Sequence, residues 1–199
     1  MDCFKSGFVT VVGKTNVGKS SIINRLVGEK ISAIANKPQT TRTIIRGIIN
    51  RPNSQIVIMD TPGLHKSKSK LGNMMNENAI SSIPDVDVVL YVIEATEKSI
   101  DEKILEKIKE SKKKTILIIN KIDLVDAKKI ADLIDKYKNL YDFVAIIPVS
   151  VKKDKNIEDV LIEIERNLKE GPAYYDIEEY TDQTLRQLAE ETIREKALK

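Results

Sequence analysis

The stretch Gly13-Lys14-Thr15-Asn16-Val17-Gly18-Lys19-Ser20 fits the pattern GxxxxGK[ST] at every fixed position. Before it lies Phe8–Val12, which is apolar and β-branched enough for a buried strand, and after it apolar residues recur at helical spacing at Ile22, Ile23, Leu26 and Val27. In such a strand, loop and helix, backbone N–H groups and the helix N-terminus converge on an anion. The sequence therefore predicts a bound nucleoside triphosphate.

Individual residues of this loop have distinct predicted roles. Lys19 would bring a positive charge to the phosphates and is predicted to be catalytic, and the hydroxyl of Ser20 would bind Mg²⁺. The predicted nucleotide-binding residues here are 13–20 and the following Ser21. The alternative is a glycine turn that opens an ordinary helix, which the flanking strand and helix disfavour.

The composition limits the class of protein. The chain has 199 residues, of which 41% are hydrophobic and 32% charged, with a net charge of +3. No apolar run approaches the roughly 18 residues of a membrane helix, so we expect a soluble protein. The only cysteine, Cys3, cannot form an internal disulfide, which favours a reducing cytoplasm. We expect no secretory signal, because the first strand begins within a few residues of Met1.

A long polar loop predicts a second metal ligand. Residues 28–42 lack steady periodicity, and loops of that length are usually functional. The loop ends in Pro38-Gln39-Thr40-Thr41-Arg42, where two hydroxyls can close over the phosphates. Thr41 is predicted to bind Mg²⁺ and to act in catalysis, and Thr40 is the alternative.

Asp60-Thr61-Pro62-Gly63 follows a predicted strand and is a second predicted part of the site. Ligands of open α/β sheets bind at the carboxyl ends of strands. We expect Asp60 to hold Mg²⁺ through water and the Gly63 N–H to meet the γ-phosphate and act in catalysis, with Thr61 and Pro62 beside the nucleotide.

Asn120-Lys121-Ile122-Asp123 follows the buried strand Thr115–Ile119 and predicts the base. A carboxylate that accepts hydrogen bonds from guanine N1–H and N2–H₂ would stay unpaired beside adenine, which can select guanine by about 10⁴-fold. We predict this role for Asp123. Asn120 would brace the loops and reach the base edge, and the stem of Lys121 would pack on the ring. Backbone N–H groups of Ser150, Val151 and Lys152 are predicted to contact the guanine oxygen.

The order of elements predicts an α/β fold with a six-stranded, mostly parallel sheet and helices on both faces. The five-residue turn at 50–54 is too short for a crossover helix, so the strands before and after it must be antiparallel. A polar stretch and then a helical stretch between residues 64 and 83 are interpreted as a mobile segment. The predicted strands are 8–12, 43–49, 55–59, 86–93, 115–119 and 143–149, and later helices are 101–110, 127–137 and 156–169.

Residues 172–180 are predicted to form a linker, and a new helix is predicted from Thr181 to Lys199. Its apolar residues share one face, which predicts the first element of a second domain: Leu185, Leu188, Ala189 and Ile193. The lysine run at 112–114 is better interpreted as a solvated loop than as an RNA-binding patch.

The motifs GKTNVGKS, PQTTR, DTPG, NKID and SVK, in this order, resemble those of the Era family of bacterial ribosome-assembly GTPases. More specific are Lys37-Pro38-Gln39-Thr40-Thr41-Arg42, Asp60-Thr61-Pro62-Gly63-Leu64-His65 and Ile193-Arg194-Glu195-Lys196. The resemblance covers the whole chain. It implies a Ras-like P-loop GTPase domain over 1–171 and, in residues 181–199, the start of a KH domain that binds the 3′ end of small-subunit ribosomal RNA. The G-x-x-G loop of that domain is absent here, and Ser150-Val151-Lys152 departs from the usual Ser-Ala-Lys.

The resemblance implies a GTP-hydrolysing switch that uses GTP, GDP and Mg²⁺ in small-subunit assembly and 16S rRNA maturation. It also implies a cytoplasmic protein with peripheral association at the inner face of the cell membrane, and we expect a monomer. Because the RNA-reading domain is missing, we expect weak RNA binding by this chain. The alternatives are a GTPase of tRNA modification or large-subunit assembly, and a guanine-nucleotide-binding module with negligible turnover. An ATP-using enzyme is disfavoured by Asp123.

Leu64 occupies the place where Ras-type enzymes carry a water-orienting glutamine. An apolar side chain cannot orient water, so we expect slow hydrolysis that depends on backbone groups, a partner or a cation. Asn16 favours K⁺, since related GTPases with asparagine there resemble potassium-activated enzymes. The alternative is that Asn16 merely tolerates the backbone of the loop.

Overall fold

The structure is a computed structural model that describes residues 3–34, 45–60, 83, 85–97 and 99–198. Its strands are β1 Lys5–Val12, β2 Ile45–Arg51, β3 Ser54–Asp60, β4 Val88–Glu94, β5 Lys114–Asn120, β6 Ala145–Pro148 and β7 Lys169–Glu170. Its helices are α1 Lys19–Val27, α2 Glu102–Ser111, α3 Ala127–Lys138, α4 Ile157–Asn167 and α5 Leu185–Leu198, with a short 3₁₀ turn at Ile122–Leu124. Among the described residues, no helix is both long and apolar enough to cross a lipid bilayer.

Six strands of the sheet lie in the order β2-β3-β1-β4-β5-β6, which is the number predicted, and the two-residue β7 pairs with β1 as a seventh strand. β1 is parallel to β3 and β4, and β5 is parallel to β4 and β6. β2 and β3 are antiparallel, as the short turn between them requires. The predicted α/β fold with one antiparallel edge strand is therefore confirmed, and the carboxyl ends of β1, β3, β4 and β5 meet at one edge.

The chain differs from the prediction where the helix expected at 156–169 ends early. Leu168 has an extended backbone (φ −73°, ψ 159°) and is buried, so the helix stops at Asn167. The next two residues form β7, which pairs antiparallel with Lys5 and Ser6 of β1. Helical spacing alone could not predict this ending, because packing of Leu168 into the core outweighs continuation of the helix.

Two hydrophobic clusters cover the two faces of the sheet. One contains the apolar faces of α1 and α4, and the other contains those of α2 and α3. The central strands are buried on both sides, which explains why β4 and β5 read as nearly continuous apolar runs. This two-sided packing fixes the strand ends on which the predicted site residues lie.

The predicted linker at 172–180 lies against the edge of the sheet. The Ile48 N–H donates to Tyr180 O at 2.9 Å, and Thr181 forms a bridge with Gly47. Gln55, which is only 1% exposed, accepts hydrogen bonds from the N–H groups of Tyr174 and Tyr175. These contacts fix the path of the segment, while the proposed division into domains stays a prediction.

The buried face of α5 is not the predicted apolar face. Leu188 packs against the core, but Leu185 and Ile193 are 84% and 68% exposed. The buried or half-buried face runs instead through Leu188, Glu191 and Glu195, at spacings of three and four residues. Hydrogen bonds that the backbone N–H groups of Ala33 and Ile34 donate to the two glutamates decide this orientation.

Replacing Gln55 is expected to release the segment at 172–180. The Gln55 amide also donates to Tyr175 O at 2.8 Å, so Gln55→Leu would leave three backbone groups without partners. Each unsatisfied group costs about 1–3 kcal/mol, and detachment of the segment avoids that cost. We expect faster hydrogen exchange at residues 174–180 in Gln55→Leu and an intermediate rate in Gln55→Glu, which loses only the donor. Unchanged exchange in Gln55→Leu would contradict this interpretation.

Candidate nucleotide-binding site

The phosphate loop joins β1 to α1, and two of its residues have left-handed backbones. Gly18 caps α1 with φ 98°, and Asn16 has φ 65°. Glycine adopts this conformation without strain, and asparagine adopts it more readily than most residues. This conformation agrees with the alternative that Asn16 merely tolerates the backbone of the loop, and the role of Asn16 toward K⁺ stays a prediction. A Cβ at Gly13 would overlap the carbonyl oxygen of Val92, so β4 limits that position to glycine.

Lys19 is buried inside the loop. Its Nζ donates to Lys14 O at 2.8 Å and to Gly13 O at 3.1 Å. Burial lowers the pKa of Lys19 to about 8, and the nearby Asp60 carboxylate acts in the opposite direction. The loop's own carbonyl groups thus hold this cation at the centre of the loop, where the sequence predicts the phosphates.

The side chains of Lys14 and Lys121 each form an ion pair with a glutamate at or just after the end of β4. Lys14 Nζ forms an ion pair with Glu97 and donates to Ser99 O at 3.0 Å. Lys121 Nζ donates to Asn16 O at 2.8 Å and to Glu94 Oε2 at 2.7 Å. Lys121 therefore connects the turn at 120–123 to the loop. We call it the guanine-recognition turn after its predicted role. The predicted nucleotide contact of Lys14 falls to its backbone.

Asn120 forms a second connection between the same two segments. Its Nδ2 donates to Val17 O at 2.8 Å, and its backbone oxygen accepts from the Ala95 N–H. Its Oδ1 is buried and has no hydrogen-bond partner in the described part of the chain. A buried acceptor without a partner is the kind of group that a ligand satisfies. The predicted bracing role is thus what the geometry shows, with one oxygen left for a donor.

Asp123 is exposed and accepts a hydrogen bond from Ser150 Oγ at 2.5 Å. This bond, more than any other contact, holds the pKa of Asp123 below its usual range, so the carboxylate is ionised at neutral pH. The Ser150 N–H, which was predicted to meet guanine, instead donates to Lys155 O at 3.2 Å. Ser150 therefore reaches the site through its hydroxyl, and the N–H groups of Val151 and Lys152 are the remaining candidates for the guanine oxygen.

Asp60 ends β3 and is fully buried. Ser32 Oγ donates to its Oδ2 at 2.5 Å, a contact that the sequence analysis missed. Ser32 lies in the loop 28–42 that was expected to be functional, but nothing in its local sequence singled it out. Ser20, the other predicted metal ligand among the described residues, lies in the first turn of α1.

Oxygen ligands of this kind suit Mg²⁺, which is held by one or two protein groups and the phosphates of a substrate. Across the described residues, no group of three or more His, Cys, Asp or Glu side chains is arranged to hold a metal ion by itself. The predicted roles of other residues lie outside the described residues and stay predictions: Thr40, Thr41, Thr61, Pro62, Gly63 and Leu64.

Comparison with known proteins tests the family resemblance. A family described as 50S ribosome-binding GTPase matches residues 8–121. GTPase Era of Ruminiclostridium cellulolyticum is 43% identical over 197 residues, which cover 98% of this chain and 66% of that protein. GTPase Era of Clostridium kluyveri is 42% identical, with coverage of 98% and 67%.

The chain belongs to the Era family of GTPases.

Two solved Era structures support the same conclusion. A crystal structure of Era with MgGDPNP and a segment of 16S ribosomal RNA has a TM-score of 0.92 and 40% identity. A variant of Aquifex aeolicus Era bound to GDP and AlF₄⁻ has the same TM-score and identity. Each covers 98% of this chain, which spans about two thirds of the length of these relatives. The family resemblance and the Ras-like P-loop fold expected from the sequence are both confirmed.

Gly18→Ala is expected to uncouple the two halves of the site. The new Cβ would overlap Asn120 Nδ2, which holds Val17, so the phosphate loop and the guanine-recognition turn must separate. A misplacement of about 1 Å can cost about 100-fold. We expect a loss of about that size in GDP affinity, measured by fluorescence titration.

Gly28→Ala is the matched control for that prediction. Gly28 also has a positive φ of 83°, but a Cβ there meets nothing within 4 Å. Backbone strain alone should lower the free energy of unfolding by about 1 kcal/mol and leave GDP affinity unchanged. Equal losses of affinity in the two variants would show that strain, not contact with Asn120, is responsible.

Proposed function

We propose that the chain binds Mg·GTP at this site and hydrolyses it to GDP and phosphate as a switch in the assembly of the small ribosomal subunit. The observation that carries the proposal is the direct connection between the two halves of the site. Asn120 and Lys121, from the guanine-recognition turn, donate hydrogen bonds to Val17 O and Asn16 O of the phosphate loop. Such a connection suits one ligand that has both a guanine base and a phosphate chain.

At the phosphate end, the chain supplies charge and oxygen ligands. Lys19 lies buried within the loop and would exchange its two carbonyl partners for phosphate oxygens. Ser20, Asp60 and Thr41 are proposed to hold Mg²⁺, which when bound neutralises charge on the β- and γ-phosphates. Gly63 is proposed to meet the γ-phosphate through its N–H.

At the base end, selectivity comes from an ionised carboxylate. Ser150 keeps Asp123 charged and oriented, so guanine can donate two hydrogen bonds to it. Adenine lacks those donors at the same edge, and the unmet acceptor disfavours its binding. This argument disfavours the alternative of an ATP-using enzyme.

The attacking water must be oriented without the glutamine that Ras-type enzymes use. Leu64 replaces the usual glutamine, so the chain must orient water through backbone groups, a partner or a cation. We propose K⁺ as the activating cation, with the Asn16 side chain as one of its ligands. A binding module with negligible turnover is the alternative.

The proposed place of action is the small ribosomal subunit in the cytoplasm. Support comes from the solved Era that is bound to 16S ribosomal RNA. The description of the matched family names the 50S ribosomal subunit, which favours large-subunit assembly as a second candidate function. That match covers residues 8–121 and the common nucleotide motifs, whereas the Era relatives match 98% of the chain. The expected peripheral membrane association and monomeric state stay predictions.

Phosphate release should be faster in KCl than in NaCl at equal ionic strength. The reason is that K⁺ would supply positive charge to the transition state, whereas Leu64 offers neither charge nor a hydrogen bond there. Asn16→Ala should lose the advantage of K⁺ and keep GDP affinity. As a control for guanine dependence, Asp123→Asn should lose activity with GTP and gain activity with XTP. Equal rates in the two salts would leave a protein or RNA activator as the explanation.

Binding of 16S ribosomal RNA should require the part of the Era relatives, about one third of their length, that this chain does not match. We expect weak filter binding of the 3′ segment of 16S RNA by the chain, because a net charge of +3 provides few phosphate contacts. A chimera that continues after Lys199 with the final third of a solved Era should bind it tightly with GDPNP. A segment of large-subunit RNA is the control. Tight, selective binding by the chain itself would assign RNA reading to residues 1–199 instead.

A further inference from the structure

Residues 31–34, which follow α1, are held on one side by Asn24. Its Oδ1 accepts hydrogen bonds from Ile31 N and Ser32 N at 3.0 Å each. Its Nδ2 donates to Ser32 O at 2.8 Å. One side chain of α1 thus satisfies three backbone groups and fixes the first half of this segment.

The other side of the segment is held by α5. Glu195 Oε2 accepts from the Ile34 N–H at 3.1 Å and lies 2.9 Å from Lys30 Nζ. The Glu195 side chain is 3% exposed, and charged side chains are rarely buried this fully unless they are paired. Glu191, one turn earlier, accepts from the Ala33 N–H at 3.4 Å. The C-terminal helix is therefore bonded to the backbone next to Ser32.

Ser32 connects this segment to the predicted metal site. Its hydroxyl donates to Asp60 Oδ2 at 2.5 Å, and both residues are buried. The position of the hydroxyl depends on the backbone on either side of it, which Asn24 and Glu195 hold. A continuous path of hydrogen bonds and two peptide units thus runs from α5 to the carboxylate of Asp60.

We propose that Glu195 is a positioning residue for the magnesium end of the nucleotide site. It fixes the backbone at Ile34 so that the Ser32 hydroxyl holds the Asp60 carboxylate in a single orientation. Groups that orient a metal ligand typically change metal affinity by about 10- to 100-fold when they are removed. The inference rests on the proposed function, because it assigns Asp60 to Mg²⁺.

The test compares GDP affinity in excess Mg²⁺ with GDP affinity in EDTA, using a fluorescent GDP analogue. In Glu195→Ala, we expect the gain in affinity that Mg²⁺ provides to fall by about tenfold, with unchanged affinity in EDTA. General destabilisation would lower both affinities together. Glu190→Ala is the matched control, because Glu190 lies on the same helix but is exposed and paired with Arg186. It should change neither affinity.

Two further variants change residues on the same hydrogen-bonded path, so the inference can still be tested if Glu195→Ala misfolds. Glu195→Gln keeps an acceptor for the Ile34 N–H and should retain most of the magnesium dependence. Ser32→Ala should lose as much as Glu195→Ala, and the double variant should lose no more than either single one, since both residues act through one connection.

The outcomes separate this inference from the proposed function. Equal losses with and without Mg²⁺ in Glu195→Ala would overturn the inference, as would normal magnesium dependence in Ser32→Ala. If the unmodified chain bound GDP without any effect of Mg²⁺, the proposed function would fail first and this inference with it.

Discussion

The hydrogen bond from the Asn120 amide to Val17 O is the interaction on which the rest of the site depends. Asn120 ends β5 and Val17 lies in the phosphate loop after β1, so the bond crosses β4 at the carboxyl edge of the sheet. Gly18 packs against the same amide so closely that no side chain fits. The distance between the proposed base site and phosphate site is therefore set by the sheet and by this contact, together with the hydrogen bond from Lys121 to Asn16 O.

Electrostatics decide the protonation states that the site needs. Burial lowers the pKa of Lys19, which makes its charge costly until phosphates are present, while the nearby Asp60 carboxylate partly offsets that cost. At the other end, a hydrogen bond from Ser150 lowers the pKa of the exposed Asp123 and keeps it anionic. The buried cation is Lys19 and the exposed anion is Asp123. Together they match a ligand with phosphates at one end and hydrogen-bond donors at the other.

The segment after β7 is bound to the preceding part of the chain at both of its ends. Gln55 holds its first part through backbone groups, and Glu191 and Glu195 hold the loop after α1. Each contact joins a side chain to backbone N–H or C=O groups, which fixes the path of the chain without a large apolar interface. A change in the loop at 31–34 is thereby linked to the C-terminal helix.

Local sequence predicted the phosphate loop, the turn at 120–123, the strands of the sheet and its antiparallel edge, because these depend on fixed spacing and on short-range periodicity. The order of the strands in the sheet came only from the structure. Only the tertiary structure decided the end of α4 at Asn167, the hydroxyl role of Ser150, the bond from Ser32 to Asp60 and the buried face of α5. Glu195 was visible in the sequence only as part of a family motif without a role. Its function depends on which backbone N–H groups lie opposite it, and contacts between residues more than 150 positions apart have no local signature.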